Sequence, residues 1–128
     1  MTGADVHLVV PAAPEYVHLA RLTAAGLASR LGFSYDDIED LRIAVDELCH
    51  LLLGPSDGDG TIRLAYSVED TAMVITGEGP GGAPVSAGAL GGEFAELSEQ
   101  ILAAVVDNYA VTSGDGLVRF RMVRRPRG

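Results

Sequence analysis

The feature that most constrains this chain is a pair of hairpin signals, one in the middle and one at the end. Thr61 to Val68 alternates, with Ile62, Leu64 and Tyr66 on one face opposite Arg63 and Ala65. Glu69-Asp70 supplies a tight turn, and Thr71 to Thr76 returns as a second strand. Near the end, Tyr109 to Thr112 and Leu117 to Val123 flank Ser113-Gly114-Asp115-Gly116. There Arg119 and Arg121 alternate with Val118, Phe120 and Met122, so the guanidinium groups share one face. A sheet built from hairpins is mostly antiparallel, and the remaining apolar segments have to cover it.

Those segments read as one more strand and three helices. Val6 to Val10 is a β-branched apolar run closed by Pro11. Pro14 and Glu15 open a helix in which Val17, Leu19, Leu22, Ala25, Leu27, Ala28 and Leu31 form a broad apolar stripe, with Gly32 as the stop. Ser34 caps a second helix with Asp36 and Asp37 in its first turn. Ile38, Leu41, Val45, Leu48 and Leu52 form its buried stripe, and Gly54, Pro55 and the polar run to Gly60 end it in a loop. Gly77 to Gly92 is glycine-rich and aperiodic, and reads as a long loop. A third helix follows from about Glu93 to Asp107 with Leu97, Ile101, Ala104 and Val105 inward, and Arg124 to Gly128 reads as a frayed tail. The order β-α-α-β-β-α-β-β predicts a single α+β domain over residues 1–128. It is a two-layer sandwich of a mixed, mostly antiparallel sheet with helices on one face.

Composition narrows the function classes. A formal charge of −9 argues against nucleic acid or an anionic membrane as the main partner. No apolar run approaches the roughly 20 residues that cross a bilayer. The N-terminus lacks the basic and apolar regions of a signal peptide, and Cys49 has no second cysteine to pair with, so cytoplasmic residence is the expectation. Charge is unevenly spread. Asp36, Asp37, Glu39, Asp40, Asp46 and Glu47 crowd one segment, and Arg119, Arg121, Arg124, Arg125 and Arg127 crowd the end. That asymmetry suits a protein partner, and equally a solvated helix face with a basic tail. His7, His18 and His50 fall on separate elements without the spacing of a metal site.

The segment DLRIAVDELCHLLL, Asp40 to Leu53, resembles the N-box helix of the GHKL (Bergerat-fold) ATPases, in particular the RsbW/SpoIIAB-like anti-sigma factor serine kinases. Asp40, Leu41, Ile43, Ala44, Val45 and Glu47 match that pattern in register. GEGPGG, Gly77 to Gly82, resembles the adenine-pocket motif DxGPG, and the closing VVDNYAV resembles the family's end. The resemblance implies a histidine-kinase-like ATPase fold that binds ATP and Mg²⁺. It also implies a homodimer that holds a sigma factor, exchanges it for an anti-sigma antagonist and phosphorylates that antagonist on serine.

Carried over residue by residue, the resemblance makes Glu47 the general base for the attacking hydroxyl, a role suited to a carboxylate within hydrogen-bond reach. It makes Gly77, Gly79 and Gly81 the nucleotide-binding backbone, and Arg21 a partner-facing basic residue on the first helix. Three positions depart from the pattern. Leu51 stands where an Asn holds Mg²⁺, and an aliphatic side chain gives a hard cation no oxygen. Gly77 stands where an Asp reads adenine, and neighbouring Glu78 belongs to the other face of a strand. Glu96 to Ser98 stands where a glycine-rich turn closes over phosphates. These departures favour a partner-switching regulator with weak or lost kinase activity. A working serine kinase and a scaffold with a vestigial pocket are the alternatives.

Overall fold

In the computed structural model, which describes residues 6–53, 60–81 and 91–127 (side chains from 96 onward in the last stretch), five strands and three helices form two layers. The elements are β1 Val6–Pro11, α1 Pro14–Arg30, α2 Tyr35–Leu52, β2 Thr61–Glu69, β3 Ala72–Gly79, α3 Gly91–Val105, β4 Asn108–Gly114 and β5 Leu117–Arg124. The sheet order is β1-β2-β3-β5-β4, and every neighbouring pair is antiparallel, so no parallel pairing enters the expected mixed sheet. Both hairpins close through two-residue turns. Asp115-Gly116 has φ 55° and 76°, and Asp70-Thr71 has φ 51° and 68°. Positive φ at both positions gives the turn whose twist matches the strands. The first turn therefore lies one residue beyond the expected Glu69-Asp70.

Local chemistry fixes the helix ends. Ser34 Oγ accepts from Asp37 N at 3.1 Å while Ser34 N donates to Asp37 Oδ2 at 3.3 Å, a complete capping box on α2. Gly32, at φ 84°, ends α1. Its N–H donates to Ser29 O, and Phe33 N donates to Ala28 O.

The core lies between the helices and one face of the sheet. Ile62, Leu64, Tyr66, Met73, Ile75, Phe120 and Met122 meet Leu41, Val45, Leu48 and Leu52 there. The inward stripe of α1 is Val17, Ala20, Ala24 and Ala28, whereas Leu19, Leu22 and Leu31 of the expected stripe are exposed. Small residues allow α1 to approach α2 and the sheet closely. Tyr66 fills the space above them, and its hydroxyl donates to Ala20 O at 3.0 Å. In α3, Leu102 and Val105 are buried, whereas Leu97 and Ala104 face solvent.

Two further expectations change. Gly77 to Gly79 continue β3, so they belong to the sheet and not to a loop, while residues 82–90 of that expected loop and 54–59 of the other lie outside the described residues. Arg124 is the last residue of β5 and among the most buried in the protein, not the start of a frayed tail. It bonds to Asp37 at 2.5 Å, to Asp40 at 2.9 Å and to Val105 O at 2.9 Å. The Arg127 N–H bonds to both oxygens of Asp37 at 3.1 Å.

Candidate functional site

The capped helix α2 organises the site. Its inner face is locked into the core, so residues on its flank are held in fixed directions. Asp46 and Glu47, half-buried, form that flank with Glu39, Arg42 and Ile43. Arg21 of α1 reaches across and bonds Asp46 at 2.9 Å, and its other terminal nitrogen lies 3.3 Å from His18 Nδ1. These six residues line a groove of about 230 Å³ between the two helices. The groove brings together the candidate base Glu47 and the candidate partner residue Arg21, which are 26 positions apart in sequence, 47 − 21.

Glu47 is already engaged. Ser98 Oγ of α3 donates to Glu47 Oε1 at 2.9 Å. A hydroxyl donating to this carboxylate is the arrangement a general base needs toward an alcohol nucleophile. The sequence gives no sign of it, because the partners are 51 residues apart and Ser98 lies in the stretch where the resemblance places a glycine-rich turn that this chain lacks. That stretch, Glu96 to Ser98, is the second turn of α3. Arg42, on the same flank of α2, pairs with Glu39 at 3.4 Å.

The glycines lie at the far end of α2. Gly81 N donates to Leu52 O at 3.1 Å, docking the end of GEGPG onto the last helical turn. The approach is close enough to exclude side chains. A Cβ on Gly79 would come within 2.6 Å of Leu52 O, and one on Gly81, at φ 70°, within 2.3 Å of Val118 Cγ2. Gly77 faces the core, where a Cβ would meet Leu64 Cδ2 and Phe120 Cε2, each at 2.7 Å. The volume that an adenine-reading carboxylate would need is thus filled by apolar side chains. Glu78 points to the other face of the sheet and pairs with Arg119 at 3.1 Å. Leu51, where the resemblance places a Mg²⁺ ligand, is half-buried and packs against the core.

The residues present fit nucleotide and Mg²⁺ poorly at the positions the resemblance assigns to them. Positions 51 and 77 provide neither an oxygen for the metal nor a carboxylate for the base, and packing closes the second position. The backbone turn at Gly79 and Gly81 is retained. No group of three or more metal-ligating side chains occurs among the described residues. No described helix is long and apolar enough to cross a membrane. Cys49 is buried against the core, and desolvation, reinforced by the Asp46 carboxylate, pushes its thiol up to about 12, which leaves it protonated and inert.

Comparisons with known proteins agree with this architecture. No family model matches the chain. The serine-protein kinase RsbW of Bacillus subtilis is 40% identical over 79 residues, covering 58% of this chain and 49% of that protein. The RsbW of a Bacillus licheniformis strain is 59% identical over 80 residues, covering 58% and 50%. The chain thus spans about half the length of the curated relatives it matches. Among solved structures, the RsbU and RsbW domains of Rv1364c from Mycobacterium tuberculosis align at a TM-score of 0.75 and 16% identity, over 97% of this chain and 33% of that one. At that identity the likeness speaks for the fold, a histidine-kinase-like ATPase fold. By sequence over more than half its length and by fold over nearly all of it, this chain is similar to the RsbW serine-protein kinases of the GHKL superfamily.

Proposed function

We propose that this chain is an anti-sigma-type partner-switching regulator that acts by binding, with ATP-dependent kinase activity weak or lost. In this reading it works as a homodimer that holds a sigma factor and exchanges it for an anti-sigma antagonist protein. The observation that carries the reading is the packing at Gly77. Leu64 and Phe120 occupy the volume where a carboxylate would read adenine, so a side chain added at 77 would have to displace them. Leu51 adds to this, because Mg²⁺ takes oxygen ligands and an aliphatic side chain has none.

The groove between α1 and α2 supports a binding role. Arg21, Arg42 and exposed Ile43 lie beside Glu39, Asp46 and Glu47, which gives a partner charges of both signs around an apolar contact. Arg21 is held by Asp46 rather than free in solvent, so less side-chain entropy is lost when it engages a partner.

A second reading, an active serine kinase, is favoured by one observation. Glu47 holds a serine hydroxyl at 2.9 Å, which is the geometry such a base would use. Calorimetric titration with ATP and ADP, with and without Mg²⁺, separates the two. The regulator reading expects no heat up to millimolar nucleotide, and a sigma factor or antagonist co-purifying with the chain. Micromolar binding strengthened by Mg²⁺, followed by phosphate transfer that Glu47→Gln abolishes, would establish the kinase instead.

A further inference from the structure

The face of the sheet that carries no helix is chemically distinct from the rest of the chain. Side chains alternate across a strand, and the core takes Leu64, Gly77 and Phe120, so their neighbours face the other way. The register aligns them in two cross-strand rows. One runs Val9, Arg63, Glu78, Arg119, Thr112, and the other runs His7, Ala65, Thr76, Arg121, Ala110. Apart from Val9, the residues of the two rows line a depression of about 440 Å³.

Three of the chain's nine basic residues stand here, on a chain whose formal charge is −9. Among the described residues, the carboxylates on this face are Glu78, which bonds Arg119 Nε at 3.1 Å, and Glu69, 3.8 Å from Arg121 at the hairpin end. Three guanidinium groups against two carboxylates leave a net +1 locally. Among the described residues the terminal nitrogens of Arg119 have no acceptor, Arg121 is held only loosely, and Arg63 is exposed. The small side chains of Ala65, Thr76 and Ala110 in the second row form a low floor around Arg121.

We infer that this face docks an extended acidic segment of a partner protein, with carboxylates on alternate residues. Arg119 and Arg121 are two residues apart on one strand, a separation of about 7 Å. That equals the spacing of side chains i and i+2 in an extended peptide, and a guanidinium recognises a carboxylate through paired N–H donors. A second copy of this chain fits less well, because a two-fold pairing sets the positive face against its own image. The surface lies across the sheet from the groove of Glu47 and Arg21, and the inference is independent of the function proposed for that groove.

The test uses the intact chain and a synthetic peptide of about ten residues alternating Glu and Thr, with a Gln/Thr peptide as control. Titration is followed calorimetrically at about 30 mM and about 300 mM salt. The wild type is expected to bind the Glu peptide only, more weakly at high salt. Arg63→Gln/Arg121→Gln leaves the Arg119–Glu78 pair intact and is expected to weaken binding roughly ten-fold, since exposed pairs are individually small. Arg30→Gln/Arg127→Gln changes the net charge equally, off this face, and is expected to leave affinity unchanged. Absence of binding at low salt, or equal loss in the two double variants, overturns the inference. So does a result in which Arg63→Gln/Arg121→Gln dissolves a self-association of the chain, which makes a second copy the occupant.

Discussion

Replacing Arg124 by Met removes a buried cation that joins α2, α3 and β5. Its guanidinium is 1% exposed and meets Asp37, itself 3% exposed, together with Asp40 and the carbonyl of Val105. Deleting one partner of a buried pair leaves the other charge without compensation, a loss of about 3–5 kcal/mol. Asp37 keeps its capping box with Ser34 and the Arg127 N–H, so the expected loss is near the lower end, about 3 kcal/mol. A 128-residue chain gains about 0.3 kcal/mol/K of unfolding entropy at its melting point, so Tm should fall by about 10 °C. Urea unfolding followed by circular dichroism measures the first quantity and a thermal melt the second. The pH dependence gives an independent signature. Burial works to raise the Asp37 carboxyl, but the Arg124 bond, the Arg127 N–H and Ser34 outweigh it and hold it at about 2, below the ordinary 3.8. A folded value below the unfolded one adds stability that is complete above the unfolded value and lost as pH falls through the folded one. The wild type should therefore lose stability as pH falls from 3.8 toward 2, and Arg124→Met should show a shallower decline. A loss under about 1 kcal/mol with an unchanged acid profile refutes the reasoning, because it places the pair outside the folding energetics.

Gly77→Asp should fail to create nucleotide binding and should destabilise the fold by about 3 kcal/mol or more, since the new carboxylate meets Leu64 and Phe120 in an apolar site; urea unfolding and ATP titration of the same variant check both halves. Thr71→Gly should stabilise by about 1 kcal/mol, because Thr71 holds φ 68° with a β-branched side chain; the melting temperature reads it. Ser98→Ala should speed hydrogen exchange in α3 ahead of Leu102 without affecting the β2–β3 hairpin, since it removes a bond to a charged acceptor worth about 1.5–3 kcal/mol. Cys49 should resist thiol reagents in the folded protein and react on unfolding, as a mass measurement of the alkylated chain will show.

Much of the fold was legible because it is written in short-range patterns. The two hairpins follow from alternation plus turn residues, and the Ser34 cap and Gly32 stop follow from local hydrogen bonding. Glu47 and the glycines at 77, 79 and 81 could be picked out because a motif has a fixed spacing. Misreadings came where helix faces were chosen by hydrophobicity alone. Leu19, Leu22 and Leu31 outrank alanine as apolar residues, yet close approach of α1 to α2 selects Ala20, Ala24 and Ala28. Arg124 looked like a solvated tail residue because nothing local shows that Asp37, 87 positions away, awaits it.

The sequence by itself determined the order of the elements, the antiparallel hairpins, the capped helix and the absence of a carboxylate at 77 and an oxygen donor at 51. Those are properties of residue type and short spacing. Only the tertiary structure decided that the volume at Gly77 is filled by Leu64 and Phe120, and that Ser98 reaches Glu47. It also decided that Arg63 joins Arg119 and Arg121 across three adjacent strands. Each of these depends on which distant segments are brought within a few ångströms, and strand order and helix docking, not local propensity, set that proximity.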